Sequence, residues 1–233
     1  VGEVNVERVP TGYDTTSEAD VIAQVHAVPG SEVDSAQLLA DLAWLNKTPF
    51  RQVGVVFEPG AQTGTTNLVL RLTDKKPWQV YIGYNNGGTA ATGYHRVFLG
   101  GVVANTGGGD QQFSYQLTAN PTSLISANGP FDFTQDSAYL SHSAAVLLPL
   151  PWRHTLTLRG DYSRSRANLA GPFVQDNTTV QGSAEYALPL QAGNPSVQLF
   201  GGIDIKHQDN VLIFGGFPVT TTAIDVVEAS VGL

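Results

Sequence analysis

The chain has 233 residues, no Cys, no Met, 25 Gly and 14% charged residues, and 12 Lys+Arg against 20 Asp+Glu give a formal charge of −8. That length can bury a real core, and the lack of Cys excludes disulfide frameworks, Cys-ligated metals and thiol nucleophiles. The acidic balance argues against a nucleic-acid partner, which calls for a basic face, and no apolar run approaches the roughly 20 residues of a transmembrane helix.

Residues 2–9 read as a strand, with Val4 and Val6 alternating against Glu3, Asn5 and Glu7. Turn residues at 10–14 precede a predicted helix with Thr16 or Ser17 as N-cap and Glu18 and Asp20 in the first turn. Its apolar stripe is Val21, Ile22, Val25 and Val28, and Pro29-Gly30 stops it. Ser31 or Ser35 opens a second helix whose Leu38, Leu39, Leu42 and Leu45 form one buried face. Asn46 and Pro49 end it, and Arg51 is placed to satisfy its last carbonyls. Strands at 50–57 and 67–73 follow, joined by Glu58-Pro59-Gly60. The order β-α-α-β-β predicts an α+β domain over residues 1–76.

Residues 77–233 hold ten acidic and six basic residues, the same numbers as residues 1–76 in twice the length. Each part therefore carries −4, and a domain boundary is placed at Lys76/Pro77. Beyond it the chain reads as eight strands. Trp78, Val80, Ile82 and Tyr84 oppose Gln79, Gly83 and Asn85, and five later segments (112–118, 155–163, 179–188, 197–206 and 223–233) are strands, joined by less regular ones at 94–105 and 138–148. On the clean strands Arg159, Asp161, Glu185, Asp204 and Lys206 all fall on the polar faces and are expected to face a lumen. A charge on a lipid face would cost about 2–4 kcal/mol at mid-membrane. The connections are expected to alternate, long at 86–93, 120–137, 164–177 and 208–222, short at 106–110, 149–153 and 189–195. This asymmetry suits an antiparallel transmembrane β-barrel better than a soluble sandwich, with the first domain on the short-turn side.

At this point specific motifs enter. Leu45-Asn46-Lys47-Thr48-Pro49-Phe50-Arg51-Gln52-Val53, Phe57-Glu58-Pro59-Gly60, Gly64-Thr65-Thr66-Asn67-Leu68, Lys76-Pro77, Gly83-Tyr84-Asn85-Asn86-Gly87-Gly88 and Thr92-Gly93-Tyr94-His95-Arg96 occur in order across the domain junction. The chain resembles the two-partner secretion transporters, the haemolysin-activator and filamentous-haemagglutinin exporters of the outer-membrane barrel-assembly superfamily. The resemblance implies a periplasmic polypeptide-transport-associated (POTRA) domain, then a sixteen-stranded barrel exporting an unfolded client of the adhesin or cytolysin type. About eight of the sixteen strands can be counted. With no initiating Met, the expectation is an excerpt: the POTRA domain and the N-terminal half of the barrel.

Such a transporter needs no catalytic residue, metal or cofactor; its expected partners are the secreted client and outer-membrane lipid. An extended client can add a strand to an exposed sheet edge. The strand 52–57 is the expected edge, and the groove between it and the second helix is the candidate client site: Gln37, Leu38, Asp41 and Trp44 on the helix, Gln52, Val53, Gly54 and Val55 on the strand. Alternatives are an assembly insertase of the same architecture, or a small closed barrel serving structure or adhesion, in which the last strand pairs with the first. Ser141-His142-Ser143 alternates across a strand, so its His cannot polarise either Ser. Five scattered His lack ligand spacing, and Gly107-Gly108-Gly109-Asp110 reads as a tight periplasmic turn.

Overall fold

The computed structural model describes residues 1–104, 109–126, 128–129, 138–190 and 197–233. Two sheets carry the fold. The first has three strands: β1 (Val4–Arg8), β2 (Arg51–Pro59) and β3 (Thr66–Asp74), in the order β1-β3-β2. β1 pairs with β3 in parallel, Val6 beside Leu70, and β2 pairs with it antiparallel, Val55 beside Leu70. Helices α1 (Glu18–Ala23) and α2 (Ser35–Leu45) cover one face. The core between them is Val21, Leu45, Val53, Leu70 and Leu72, with Val4, Val6, Val25, Leu42 and Val55 packed around it. Each such side chain contributes about 1.5–3 kcal/mol on burial.

The helices depart from the sequence expectation for local reasons. α1 ends at Ala23 rather than at Pro29, because the His26 backbone N–H leaves the helix to donate to the Asp41 carboxylate at 2.7 Å. Val28 is consequently exposed rather than part of a buried stripe. Asp34, not Ser31 or Ser35, caps α2 by accepting from the Ala36 and Gln37 N–H groups. Leu39, expected in the buried face, is 63% exposed.

The second sheet is antiparallel with eight strands in chain order: β4 (Trp78–Asn85), β5 (Arg96–Ala104), β6 (Gln112–Ala119), β7 (Ala138–Pro149), β8 (Thr155–Asn168), β9 (Phe173–Pro189), β10 (Gln198–Phe214) and β11 (Phe217–Gly232). A short helix, α3 (Pro121–Leu124), follows β6 and is capped by Asn120. β4 and β11 do not pair, so the sheet is an open run of barrel wall. This corrects the closed eight-stranded alternative, in which the last strand would meet the first.

Register gives the sheet two unlike faces. Trp78, Val80, Ile82 and Tyr84 lie beside Val103, Gly101, Leu99 and Val97, and the row continues through Phe113, Tyr115 and Leu117 to Val146, Ala144 and His142. This face is apolar and outward, with Ile82 75% exposed. His142 on it meets the Tyr115 hydroxyl at 2.6 Å and lies tilted against the Tyr162 ring, while Ser141 and Ser143 point the other way.

The expected long connections at 164–177 and 208–222 are instead strand. β8 and β9 continue pairing to Asn168 and Val174, and β10 and β11 meet through Gly215-Gly216 alone, both at positive φ as a two-residue hairpin requires. Charges do occur on the outward face there: Arg164 pairs with Asp176 at 2.8 Å, and His207 lies between Asp209 and Asp225. They begin where the apolar pattern ends, so they stand above the apolar band. Parts of the expected short turns at 106–110 and 189–195, and of the Gly107–Asp110 turn and the 120–137 connection, lie outside the described residues.

Candidate functional site

Among the described residues β2 is an edge strand, with β3 on one side only. Main-chain groups alternate in direction along a strand. The Phe50 carbonyl and the Gly60 N–H bond on the β3 side, to Lys75 and Thr65. Even-numbered residues therefore spend their main-chain groups on β3, and Val53, Val55 and Phe57 turn theirs to the free edge. Val53 is already occupied: its N–H donates to Asn46 Oδ1 at 2.7 Å and its carbonyl accepts from Asn46 Nδ2 at 2.8 Å. Val55 and Phe57 have no main-chain partner on that side among the described residues.

The candidate strand residues thus divide. Gln52 and Gly54 sit on the open face of the sheet, exposed, and a Cβ at Gly54 would meet nothing within 4 Å among the described residues. Their main chain belongs to β3. Val53 and Val55 direct their side chains into the core.

On α2 the candidate residues also divide. Leu38 is core. Gln37, Asp41 and Trp44 form one stripe, at i, i+4 and i+7, and this stripe faces the turns of the second sheet. The Asp41 carboxylate has no exposed area, and it accepts from the His26 N–H at 2.7 Å, from Gln37 Nε2 at 3.0 Å and from Arg153 Nη2 at 2.6 Å, with His26 Nδ1 at 2.9 Å. Burial alone would raise its pKa; the His26 backbone N–H, Arg153, the His26 ring and Gln37 together outweigh burial and hold it below the usual carboxylate value. Arg153 belongs to the turn between β7 and β8, where it stands at φ 65°, and Nη2 also donates to the Gln24 carbonyl at 2.7 Å.

A second ion pair crosses the same junction with the signs reversed. Arg51, 4% exposed, donates from Nε and Nη2 to the Leu45 carbonyl at the end of α2, as expected, and holds Asp110 with a two-pronged contact at 2.9 and 2.7 Å. A fork of this kind fixes orientation as well as distance. Lys47 adds a hydrogen bond to Thr155 and lies over the Trp44 ring. Between these ties is an open-sided cavity of about 650 Å³, bounded by Asp20, Trp44, Arg51, Asp110, Pro149 and Pro151. Arg153 and Asp110 carry no signal in the sequence, since their partners lie far away along the chain, and Asn46 stands at a helix end where Asn is already expected.

The five charged residues expected on the polar face share one face of the second sheet by register: Arg159 beside Ser183, Asp161 beside Gln181, Glu185 beside Gly202, and Asp204 and Lys206 beside Ser183 and Gln181. Arg159 and Glu185 approach to 3.9 Å. Glu228 on β11 stands beside Asp204 on the same face. Among the described residues no group of three His, Asp or Glu could hold a metal ion, and no helix is long and apolar enough to cross a membrane, which says nothing of crossing by strands.

A family model described as haemolysin secretion/activation protein ShlB/FhaC/HecB matches residues 64–205. No curated protein sequence matches the chain. Among solved structures, CdiB from Escherichia coli is similar at 14% identity with a TM-score of 0.65, over 99% of this chain and 41% of that one. CdiB from Acinetobacter baumannii is similar at 12% identity with a TM-score of 0.61, over 99% and 42%. BamA from Haemophilus ducreyi lacking POTRA domains 1-3 is similar at 11% identity with a TM-score of 0.57, over 99% and 42%. These are likenesses of fold, and the chain spans about two fifths of the length of those chains.

Proposed function

The chain belongs to the haemolysin secretion/activation family of ShlB, FhaC and HecB, and from that membership we propose that it forms part of an outer-membrane transporter exporting an unfolded client polypeptide. In this reading residues 1–76 are a periplasmic domain, and residues 77–233 are barrel wall, apolar face to lipid. Arg159, Asp161, Glu185, Asp204 and Lys206 line the conduit. The client is a secreted protein of the adhesin or cytolysin type, as the family's description as a haemolysin secretion protein suggests.

The observation that carries the reading is an unpaired sheet edge at Val55 and Phe57, held by two ion pairs beneath a sheet with one apolar and one polar face. An extended client gains main-chain hydrogen bonds there without needing a particular sequence. Release into a polar conduit needs no nucleophile, metal or cofactor, so the protein acts as a translocase and not as an enzyme. Of the candidate client residues, the main chain of Val55 then carries capture. Gln52 and Gly54 are left to side-chain contact on the open face, and Gln37, Asp41 and Trp44 to holding the domain.

Val55→Pro in the complete transporter tests this, since Pro removes the edge N–H at a position where a strand tolerates it. The expected result is loss of export with normal amounts of transporter in the outer membrane. Undiminished export overturns capture at this edge. A transporter whose loss leaves export intact but stops other barrels from assembling would be an insertase instead.

A further inference from the structure

The free edge of β2 is not open along its length. Asn46 makes with Val53 the two reciprocal bonds that a residue of a neighbouring strand would make, at 2.7 and 2.8 Å. At the other end Pro59 has no N–H to offer. Between the clasp and the proline lie Val55 and Phe57, whose main-chain groups have no partner on the free side among the described residues.

The helix beside this stretch is shaped to match. Leu39, Ala43 and Asn46 follow one another at i, i+4 and i+7, so they share one flank of α2. Asn46 shows that this flank overlooks the free edge. β2 runs back along α2 after the reversal at residues 46–51, so Leu39, about 10 Å up the helix from Asn46, comes level with Val55 and Phe57, about 7–13 Å along the strand from Val53. Leu39 is 63% exposed and Phe57 is 54% exposed.

We propose that Asn46 is the register-setting residue of client capture: its carboxamide occupies Val53, so that an exported segment adds as a strand to Val55 and Phe57 alone. The occupant is an extended segment with an apolar side chain over Leu39. The inference rests on the capture reading and deepens it by fixing where strand addition stops. It also explains how an exposed edge is kept from open-ended pairing with other copies, since a blocked position shortens the template.

The test uses the complete transporter in detergent micelles, labelled with 15N-valine and 15N-phenylalanine. The probe is an end-blocked Lys-Thr-Val-Thr-Val-Thr-Lys peptide, and amide exchange is read with and without it. In the free protein the Val53 amide exchanges slowly, and those of Val55 and Phe57 fast; the peptide slows Val55 and Phe57 only. In Asn46→Ala, Val53 becomes fast, and the peptide slows all three and binds roughly tenfold tighter, the scale of two further main-chain hydrogen bonds. Asn46→Asp, which keeps an acceptor for the Val53 N–H and loses the donor, lies between the two and covers the case in which the alanine variant unfolds. Protection of Val55 and Phe57 with the same affinity in every variant overturns the register proposal and leaves capture standing. Peptide protection at none of the three amides overturns capture, and the register proposal with it.

Discussion

The Arg153 guanidinium, in the turn between β7 and β8, donates at 2.6 Å to the wholly buried carboxylate of Asp41 on α2. One part of the chain thereby neutralises a charge buried in the other. Arg153→Ala leaves that carboxylate with only His26 and Gln37, so it should destabilise the docked arrangement by about 2 kcal/mol, below the cost of stripping a buried charge completely. Chemical unfolding followed at Trp44, which lines the junction, reads this, and Arg153→Lys should recover only part of it.

The same pair sets an acid limit. The Asp41 pKa is held below its usual value, so its contribution to stability is full above the unfolded-state value of about 3.9. It is lost as pH falls through the depressed folded value. Docking is therefore expected to be flat from neutral pH to about 5 and to weaken only below about 4. Calorimetry across that range should show the acid-dependent component in the native protein and its absence in Asp41→Asn.

Arg51 joins the end of α2 to Asp110, which makes it the more demanding of the two ties. Arg51→Lys keeps the charge but loses the planar fork. It is expected to cost most of what Arg51→Ala costs, about 2–4 kcal/mol, through the orphaned Leu45 carbonyl and the unpaired Asp110. A double-mutant cycle of Arg51→Ala with Asp110→Ala should return a coupling of about 1–3 kcal/mol.

The two faces of the second sheet should respond oppositely to charge. Ile82→Arg, on the apolar face, is expected to cost about 2–4 kcal/mol of stability in a bilayer. Ser114→Arg, on the polar face opposite Phe113 and Tyr115, should be nearly neutral. Folding titrations in lipid vesicles compare them, and equal costs would contradict the assignment of faces.

Gly88 shows why one loop glycine is fixed and another is not. A Cβ at Gly88 would stand 1.9 Å from the Gly93 carbonyl oxygen, whereas one at Gly171, at φ +73°, would meet nothing within 4 Å among the described residues. Gly88→Ala should therefore displace the β4–β5 connection and cost about 1–3 kcal/mol, against about 1 kcal/mol of backbone strain for Gly171→Ala. Thermal unfolding of the two variants gives the comparison.

Local patterns were legible in the sequence, and long-range pairings were not. Trp78–Asn85 and Gln112–Ala119 could be found because alternation declares a strand with one buried or lipid-facing side, and Arg51 because a cation after a helix end has a carbonyl within reach. The upper parts of β8 to β11 read as loops because alternation breaks there: charged and polar residues fall on both faces at 164–168 and 175–177, and the β10–β11 hairpin carries the unbroken apolar run Val211–Phe214. α1 stops early for the sake of a bond to Asp41, fifteen residues on from His26. Asp41 itself, chosen as a client contact because it lies on an amphipathic helix near the edge strand, is claimed by Arg153 across 112 residues. The clasp at Asn46 gave no signal beyond its place at a helix end, where Asn is already expected.

The account's central claim is that an exported client is held at the free edge of β2 on its way to the barrel. The most direct measurement places a photoreactive residue at Phe57, and separately at Gln52, in the complete transporter during export of its partner. The account predicts an adduct between transporter and client from Phe57, lost when Val55→Pro is added, and little from Gln52, whose main chain is bound to β3. Export that proceeds with no adduct at Phe57, or with equal adducts unaffected by Val55→Pro, would contradict it.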